Sequence, residues 1–318
     1  ILIERGSLLN DSKLTDIGKD LDVPQYEYSI DKYRIATELN PNDDSAFNNW
    51  GLEIYKLAKL KFDEELYKES FEKYQRATKL NPENDFAFIN WGNAIYDLAK
   101  LKNDEELYKE SFEKYQRATE LNPKNESAYN NWGFAIYELA KLKNDEKLYE
   151  QSVEKYNKVL QLYPKNISAL NNLAKVFDEL GEYEKARDLL EKSLPGIYEV
   201  YKTNPQDVSI KNGLAVAYEE LGGIYERLEQ LEDALKFYKD TANLFEELYT
   251  TFPQDVSFKN GLGISYSKLG GISERMGRLN ESLKFYQDYN ILSEELYKTY
   301  PQDVSFKSSL AISYDRLG

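Results

Sequence analysis

The sequence has no cysteine and no histidine among its 318 residues. These absences exclude disulfide bonds, thiolate nucleophiles, Cys/His zinc sites and imidazole acid–base chemistry. Long apolar runs are also missing, and none approaches the roughly 20 residues that a helix needs to cross a bilayer. We therefore expect a protein without metals or cofactors, and the lack of cysteine is typical of the cytoplasm.

Basic residues are scarce relative to acidic ones. The chain has 41 Lys and Arg against 56 Asp and Glu, which gives a formal net charge of −15. Nucleic-acid backbones and anionic membranes bind clustered basic residues, so we expect neither as a partner. Two alternatives stay open: a basic protein partner, or a solvated acidic surface that favours solubility.

Proline is infrequent, but seven of the nine prolines are periodic, with four gaps of 41 residues followed by two of 48. Two residues after each of the seven stands Asn or Asp. Proline ends a helix, and Asn or Asp caps the next helix by accepting a bond from a free backbone N–H. The prolines are Pro41, Pro82, Pro123, Pro164, Pro205, Pro253 and Pro301, and the expected caps are Asp43, Asn84, Asn125, Asn166, Asp207, Asp255 and Asp303.

Between these signals the apolar residues recur at helical spacing. Phe47, Trp50 and Ile54 share one helical face, and Ser70, Tyr74 and Ala77 share a face of a second helix. The same layout returns 41 and 82 residues later. Each repeat is therefore predicted to consist of two antiparallel helices, A and B.

These residues resemble the tetratricopeptide repeat, a 34-residue helix-turn-helix unit with Leu-Gly, Tyr, Ala, an aromatic residue and Pro at set offsets. Gly181-Glu182-Tyr183 matches the turn between the helices, and Leu221-Gly222 and Leu269-Gly270 match the Leu-Gly pair. In the first repeats Trp replaces the Leu, as in Trp50-Gly51, Trp91-Gly92 and Trp132-Gly133. The resemblance covers essentially the whole chain. It implies an all-α, right-handed superhelical solenoid of about 15 helices.

The repeats exceed 34 residues by 7 or 14. Seven residues are nearly two helical turns and rotate the apolar stripe by only about 20°, so such insertions keep the stripe in register. We expect the extra residues around the A–B turn in 42–82, 83–123 and 124–164, and at the end of helix B in 165–205, kinked at Pro195-Gly196. In 206–253 and 254–301 both helices should be longer. The change of period predicts two domains, 1–205 and 206–318.

The two ends of the array are atypical. Residues 1–41 are predicted to form a first pair with a long turn containing Pro24, and residues 302–318 a lone helix A. Because an array normally ends in a polar cap, and Leu317-Gly318 leaves an apolar face uncovered, we expect the native polypeptide to continue past residue 318.

No catalytic or metal-binding pattern stands out. The acidic clusters Asp63-Glu64-Glu65 and Asp104-Glu105-Glu106 stand near the start of helix B, where they suit the positive helix end. The turn between them and helix A is too short for a calcium loop. The Leu-Gly-Gly segments at 221–223 and 269–271 indicate close helix packing, and Trp50, Trp91 and Trp132 indicate core packing. We therefore predict that the chain is not an enzyme.

The strongest candidate site is a ladder of asparagines on helix A, whose residues line the inner groove in this family. Asn has both donor and acceptor groups, so a row of amides can bind the backbone of an extended peptide. Three tyrosines predicted to face the same groove would add apolar area and hydroxyls. The alternative is that these residues only stack the repeats. The candidates are Asn49, Asn90, Asn131 and Asn172, with Asn48, Asn130 and Asn171 beside them, and Tyr55, Tyr96 and Tyr137.

The family's carboxylate clamp for chaperone C-termini is not expected. It requires Lys and Arg on successive A helices, and the two relevant offsets lack them; they hold Asn48, Ile89, Asn130 and Asn171, and Ser45, Phe86, Ser127 and Ser168. From residue 206 onward the ladder offset becomes charged, with Glu220, Lys268 and Arg316. We therefore predict two surfaces that meet near 195–205.

Two functions remain as hypotheses. The first is a scaffold that binds a protein or an extended peptide in its groove. The second is a sensor or regulatory array of a larger multidomain enzyme with a nucleotide-switch or protease domain, because repeats such as PQDVSFKNGLGISYSKLG resemble bacterial arrays of that kind. RNA binding is disfavoured by the acidic charge.

Overall fold

The structure, a computed structural model, describes residues 12–301 and 303–317, with side chains from residue 23 onward. Within this part of the chain it contains fourteen α-helices and no strand, and consecutive helices pack in pairs, which confirms the predicted all-α architecture. The chain forms two compact units, residues 19–176 and a unit built on residues 177–317. The helices are α1 (Ser12–Leu39), α2 (Asp44–Lys61), α3 (Glu64–Leu80), α4 (Asp85–Lys102), α5 (Glu105–Leu121), α6 (Glu126–Lys143), α7 (Glu146–Leu162), α8 (Ile167–Glu179), α9 (Tyr183–Thr203), α10 (Val208–Arg227), α11 (Leu231–Thr251), α12 (Val256–Arg275), α13 (Leu279–Thr299) and α14 (Val304–Leu317).

All seven predicted caps are present at the starts of the A helices. Asp43 accepts a bond from the backbone N–H of Ala46 at 2.9 Å, and Asn166 accepts one from Ala169 at 2.8 Å. The acidic clusters also contain caps, since Asp63 and Asp104 accept bonds from the first turns of α3 and α5. The starts of these helices are therefore fixed by a local side-chain bond to an otherwise unpaired backbone N–H, whereas the helices that begin at Tyr183, Leu231 and Leu279 have no such side-chain cap.

Helix lengths follow the predicted extensions. In the first unit, α2 and α3 have 18 and 17 residues and are separated by only two, so the extra residues lengthen both helices instead of forming a loop. Helix α8 has 13 residues and α9 has 21, as expected for an extended helix B. Helices α10 and α11 have 20 and 21, so both helices of that repeat are extended.

The predicted turn at Pro24 is wrong. A single helix, α1, runs from Ser12 to Leu39 and includes Pro24. An interior proline removes one intrahelical hydrogen bond and its ring crowds the carbonyl four residues earlier, but its fixed φ is compatible with a helix, and here the helix continues through Pro24. Residues 1–11, with the start of the first predicted pair, and Gly318 lie outside the described residues. Pro195 lies inside the uninterrupted helix α9.

Helices A and B of a pair touch where a glycine of A faces a tyrosine of B. A Cβ atom built on Gly92 would lie 2.7 Å from Cε1 of Tyr115, and one on Gly222 would lie 2.6 Å from Cδ1 of Tyr238. These rings are almost completely buried. The contact confirms the close packing predicted for the Leu-Gly-Gly segments, and it recurs at Gly51–Tyr74, Gly92–Tyr115, Gly133–Tyr156, Gly222–Tyr238 and Gly270–Tyr286.

Substituting the two neighbouring glycines of α10 tests this contact. Gly222→Ala should lower the free energy of unfolding by about 1–2 kcal/mol, because overpacking against the Tyr238 ring outweighs the helix propensity of Ala. Gly223→Ala should raise it by up to about 1 kcal/mol, since its Cβ would meet the flexible end of Arg227 at 3.4 Å and the Tyr238 hydroxyl at an ordinary contact distance of 3.7 Å. Urea unfolding followed by circular dichroism measures both free energies, and equal stabilisation by the two variants would contradict the close contact between Gly222 and Tyr238.

The A–B turns of the first unit contain a residue in the left-handed region. Phe62 has φ 53°, and the residues at the same position of the next two repeats are Asn103 and Asn144, with φ 51° and 50°. Asparagine adopts this conformation at a lower energetic cost than phenylalanine, and Phe62 is 74% exposed, so its side chain contributes little packing.

Phe62→Asn should therefore stabilise the protein by about 0.5–1 kcal/mol, measured as a higher thermal midpoint. Phe86→Asn is the matched control, because Phe86 is 65% exposed but lies in the helix α4. It should have no stabilising effect. A loss of stability in Phe62→Asn would mean that the aromatic ring has a role that its exposure does not indicate.

Candidate functional site

The predicted asparagine ladder lies on the A helices of the first unit. Asn49, Asn90, Asn131 and Asn172 stand at the same position of α2, α4, α6 and α8, and all four side chains are half-buried. Their surroundings are set by the 41-residue period, which places equivalent residues of successive A helices side by side.

The amides connect neighbouring helices instead of forming one continuous column. Asn48 Nδ2 donates to Asn49 Oδ1 at 3.2 Å, and Asn90 Nδ2 donates to Asn48 Oδ1 at 3.0 Å, which links α2 to α4. Asn131 Nδ2 donates to Asn93 Oδ1 at 2.9 Å and links α6 to α4. The ladder residues are therefore bridged through Asn48 and Asn93.

Asn93 was not predicted to belong to the site. Its Oδ1 accepts bonds from both Asn131 and the hydroxyl of the buried Tyr115, each at 2.9 Å. The sequence held a signal for it, because Asn93 follows Asn90 by three residues and so lies on the same helical face.

The remaining predicted asparagines have different surroundings. Asn130 Nδ2 donates to Asn166 Oδ1 at 3.4 Å, so it contacts the cap of α8, and Asn171 is almost fully buried. Asn172 makes no hydrogen bond to any of the described residues. An amide has two N–H donors and an oxygen with two lone pairs, so Asn49, Asn90, Asn131 and Asn172 retain hydrogen-bonding capacity.

The three predicted tyrosines lie between successive helix pairs. The hydroxyl of Tyr55 donates to Asp97 Oδ2 at 2.5 Å, and Lys59 Nζ lies 3.0 Å from the same oxygen. One repeat later, Lys100 Nζ lies 3.0 Å from Glu138 Oε2. The rings also contact tyrosines of helix B, with centroid distances of 5.9 to 6.1 Å, in the pairs Tyr55–Tyr67, Tyr96–Tyr108 and Tyr137–Tyr149.

Burial sets the protonation of these phenols. It raises the pKa of Tyr55 well above the usual range, and the carboxylate of Asp97 raises it further. Burial and Glu138 raise the pKa of Tyr96 in the same direction. Both hydroxyls therefore remain neutral at physiological pH, and the Tyr55 hydroxyl is already engaged in stacking the repeats.

The tryptophans are half-buried, and a lysine of helix B covers each ring. The Lys73 Nζ lies 4.5 Å from the ring centroid of Trp50, and Lys155 Nζ lies 4.2 Å from that of Trp132. The pair of Lys114 and Trp91 repeats this arrangement at 4.5 Å. These cation–π contacts place the tryptophans within the helix pairs, away from the asparagine ladder.

The acidic clusters have structural contacts. Glu105 forms ion pairs with Lys109 and with Lys143 of α6, at 2.8 and 2.7 Å, and hydrogen bonds from these two lysines lower its pKa to about 2. In the described part of the chain no group of three His, Cys, Asp or Glu residues could hold a metal ion. Among the same residues, no helix is long and apolar enough to span a bilayer.

In the second unit the ladder offset is charged, as the sequence predicts. Glu220 is half-buried on α10, Lys268 is exposed on α12, and the guanidinium of Arg316 lies 5.8 Å from the ring centroid of Tyr286. The row of amides therefore belongs to the first unit.

Comparisons with known proteins agree with the all-α repeat fold. Residues 124–197 match the family model for the tetratricopeptide repeat. Among solved structures, the chain is similar to Pseudomonas aeruginosa PilF, with 14% identity, a TM-score of 0.50, and coverage of 85% of this chain and 99% of PilF. It is also similar to PilW, a type IV pilus biogenesis factor, with 17% identity, a TM-score of 0.50, and coverage of 81% and 96%. These similarities show the fold, and a comparison with curated protein sequences finds no significant match.

The bond between Tyr55 and Asp97 should contribute measurably to stability. Tyr55→Phe removes the donor and leaves Asp97 with Lys59 alone, so we expect a loss of about 1–2 kcal/mol in the free energy of unfolding. In a double-mutant cycle with Asp97→Asn, the coupling energy should be about 1 kcal/mol. A coupling near zero in urea unfolding would mean that the hydroxyl and the carboxylate act independently.

Proposed function

We propose that this chain, whose residues 124–197 match the family model for the tetratricopeptide repeat, is a non-catalytic scaffold that binds an extended peptide or protein segment along the asparagine ladder of its first unit. The observation that carries the proposal is the spare hydrogen-bonding capacity of Asn49, Asn90, Asn131 and Asn172. In the folded chain, Asn49, Asn90 and Asn131 each use one group of the amide in a hydrogen bond. The other group is available to a partner.

An extended peptide offers groups that suit this row. Its backbone presents alternating N–H and C=O groups, and Asn can bond to either. Recognition of this kind needs little from the partner's side chains, so the ladder supports binding to a class of segments more than to a single sequence. Near the tyrosines, Lys59 and Lys100 each form an ion pair with a carboxylate of the next repeat. The asparagine amides carry no charge, so they can bond to a neutral peptide backbone.

Cytoplasmic localisation and a basic partner belong to the same proposal. The acidic balance of the chain supports attraction of a basic segment, and screening by salt would weaken it. The absence of Cys and His from the sequence supports a binding role over catalysis that depends on those side chains.

The test replaces Asn49, Asn90 and Asn131 with Ala together. The intact chain is used in a cross-linked pull-down with mass spectrometry, and the affinity of each captured partner is then measured with the purified variant. Loss of three hydrogen bonds should weaken binding by about tenfold to a hundredfold. Circular dichroism must show that the variant remains folded.

A matched control changes three amides on the B helices of the same repeats. Gln75, Gln116 and Asn157 are exposed, stand 41 residues apart, and lie on α3, α5 and α7. Their joint substitution by Ala should leave affinity unchanged. If the ladder variant binds every partner as tightly as this control, the proposed site is wrong.

A further inference from the structure

A second surface is present in the other unit. Helices α9, α10 and α11 line a groove of about 640 Å³. Its walls are mostly apolar and aromatic, and they include Leu194, Pro195, Tyr198, Tyr201, Tyr218 and Phe237. Tyr198 is 40% exposed, so a large aromatic side chain lies open to solvent at this site.

The groove contains a carboxylate that folding leaves unpaired. Asp240 of α11 lines it and is half-buried, yet it forms no hydrogen bond or ion pair with the residues that the structure describes. Burial raises its pKa, and Lys236, one turn earlier, opposes this only through space. The other acidic lining residue, Glu191, already accepts a hydrogen bond from the hydroxyl of Tyr225.

The aromatic rings lie close to this carboxylate. Burial raises the pKa of Tyr218 to about 12, and Asp240, Tyr198 and Tyr201 all contribute to that rise. The Tyr218 and Phe237 ring centroids are 5.9 Å apart. Aromatic faces and a carboxylate both attract a cation, and together they favour one that carries an apolar stem.

Comparison with the next repeat shows which residues of the groove occur only at this position of the array. Tyr218 and Asp240 have counterparts 48 residues later in Tyr266 and Asp288, whereas Glu246 stands where Tyr198 does. Pro195 is similarly replaced by Asn243. The apolar wall therefore comes from α9, whose extension belongs to the junction between the 41- and 48-residue repeats.

We propose that this groove is a docking site for a partner peptide that places one Lys or Arg side chain, flanked by apolar residues, against Asp240 and the surrounding rings. The negative charges of Glu191 and Asp240 favour a positively charged side chain in the partner. The apolar walls favour apolar residues on either side of it. The site is distinct from the asparagine ladder, and neither proposal depends on the other.

The test uses the full chain and a phage-displayed library of random 12-residue linear peptides. Enriched peptides are synthesised, and their affinities are measured by fluorescence anisotropy. We expect Lys or Arg with apolar neighbours in the enriched set. Asp240→Asn should weaken these peptides about tenfold, and the matched control Asp288→Asn should not change their binding.

Two further changes, one in the peptide and one in the protein, distinguish a loss of the charge interaction from a loss of folding. Replacing the peptide's basic residue by norleucine should weaken binding to the unmodified chain about tenfold, and should have no further effect on Asp240→Asn. Tyr198→Glu, which copies the next repeat, should abolish binding of the apolar flanks.

The proposal is overturned by any of three results. These are a library that yields no binder, enriched peptides that lack a basic residue, and binding that is insensitive to both Asp240→Asn and Tyr198→Glu. Peptides lost with the triple Asn→Ala variant but retained by the two groove variants would assign binding to the ladder instead.

Discussion

The contact between a helix-A glycine and a helix-B tyrosine governs the geometry of every pair in which it occurs. The ring of Tyr115 lies where a side chain on Gly92 would have to be, so the two helices approach more closely than larger residues permit. In the third pair the hydroxyl of Ser152 also donates to the carbonyl of Gly133, at 2.8 Å, which ties helix B to the backbone of helix A beside the same contact. The same close approach of a glycine to a tyrosine ring thus recurs in pairs of both repeat lengths.

Helix length varies around this fixed contact. The A helices that carry it have 18 residues in α2 and 20 in α10, and the glycine-to-tyrosine packing recurs in both the 41- and the 48-residue repeats. Insertions of seven residues keep the apolar stripe in register, so a repeat gains length without moving its core. The longer helices supply new surface, and the wall of the α9 groove is part of it.

The two candidate sites share one property: both contain polar side-chain groups that are not fully hydrogen-bonded within the folded chain. Tyr55 and Asp97 are bonded to each other and serve the stacking of the repeats. Asn49, Asn90 and Asn131 each use one group of the amide in a hydrogen bond, and Asn172 and Asp240 have no hydrogen-bond partner among the described residues. Polar groups of this kind are costly unless a partner or water pairs them, which makes them the natural points of recognition.

The sequence by itself determined the local features. The period of Pro41, Pro82 and their successors located the helix boundaries, and Asn84 and its equivalents were recognisable as caps, because both effects act within a few residues. The order and length of the helices followed from the same signals. Pro24 was the exception, since a lone proline without a nearby cap does not specify a turn.

Only the tertiary structure decided which distant side chains meet. The sequence placed Tyr55 on a binding face, but its hydroxyl bonds to Asp97, 42 residues away, because the stacking of α2 on α4 brings them together. The bridging role of Asn93 and the unpaired state of Asp240 depend in the same way on neighbouring helices. Periodicity gives the face of a helix on which a residue lies, whereas the atom it contacts depends on the packing of side chains from separate repeats.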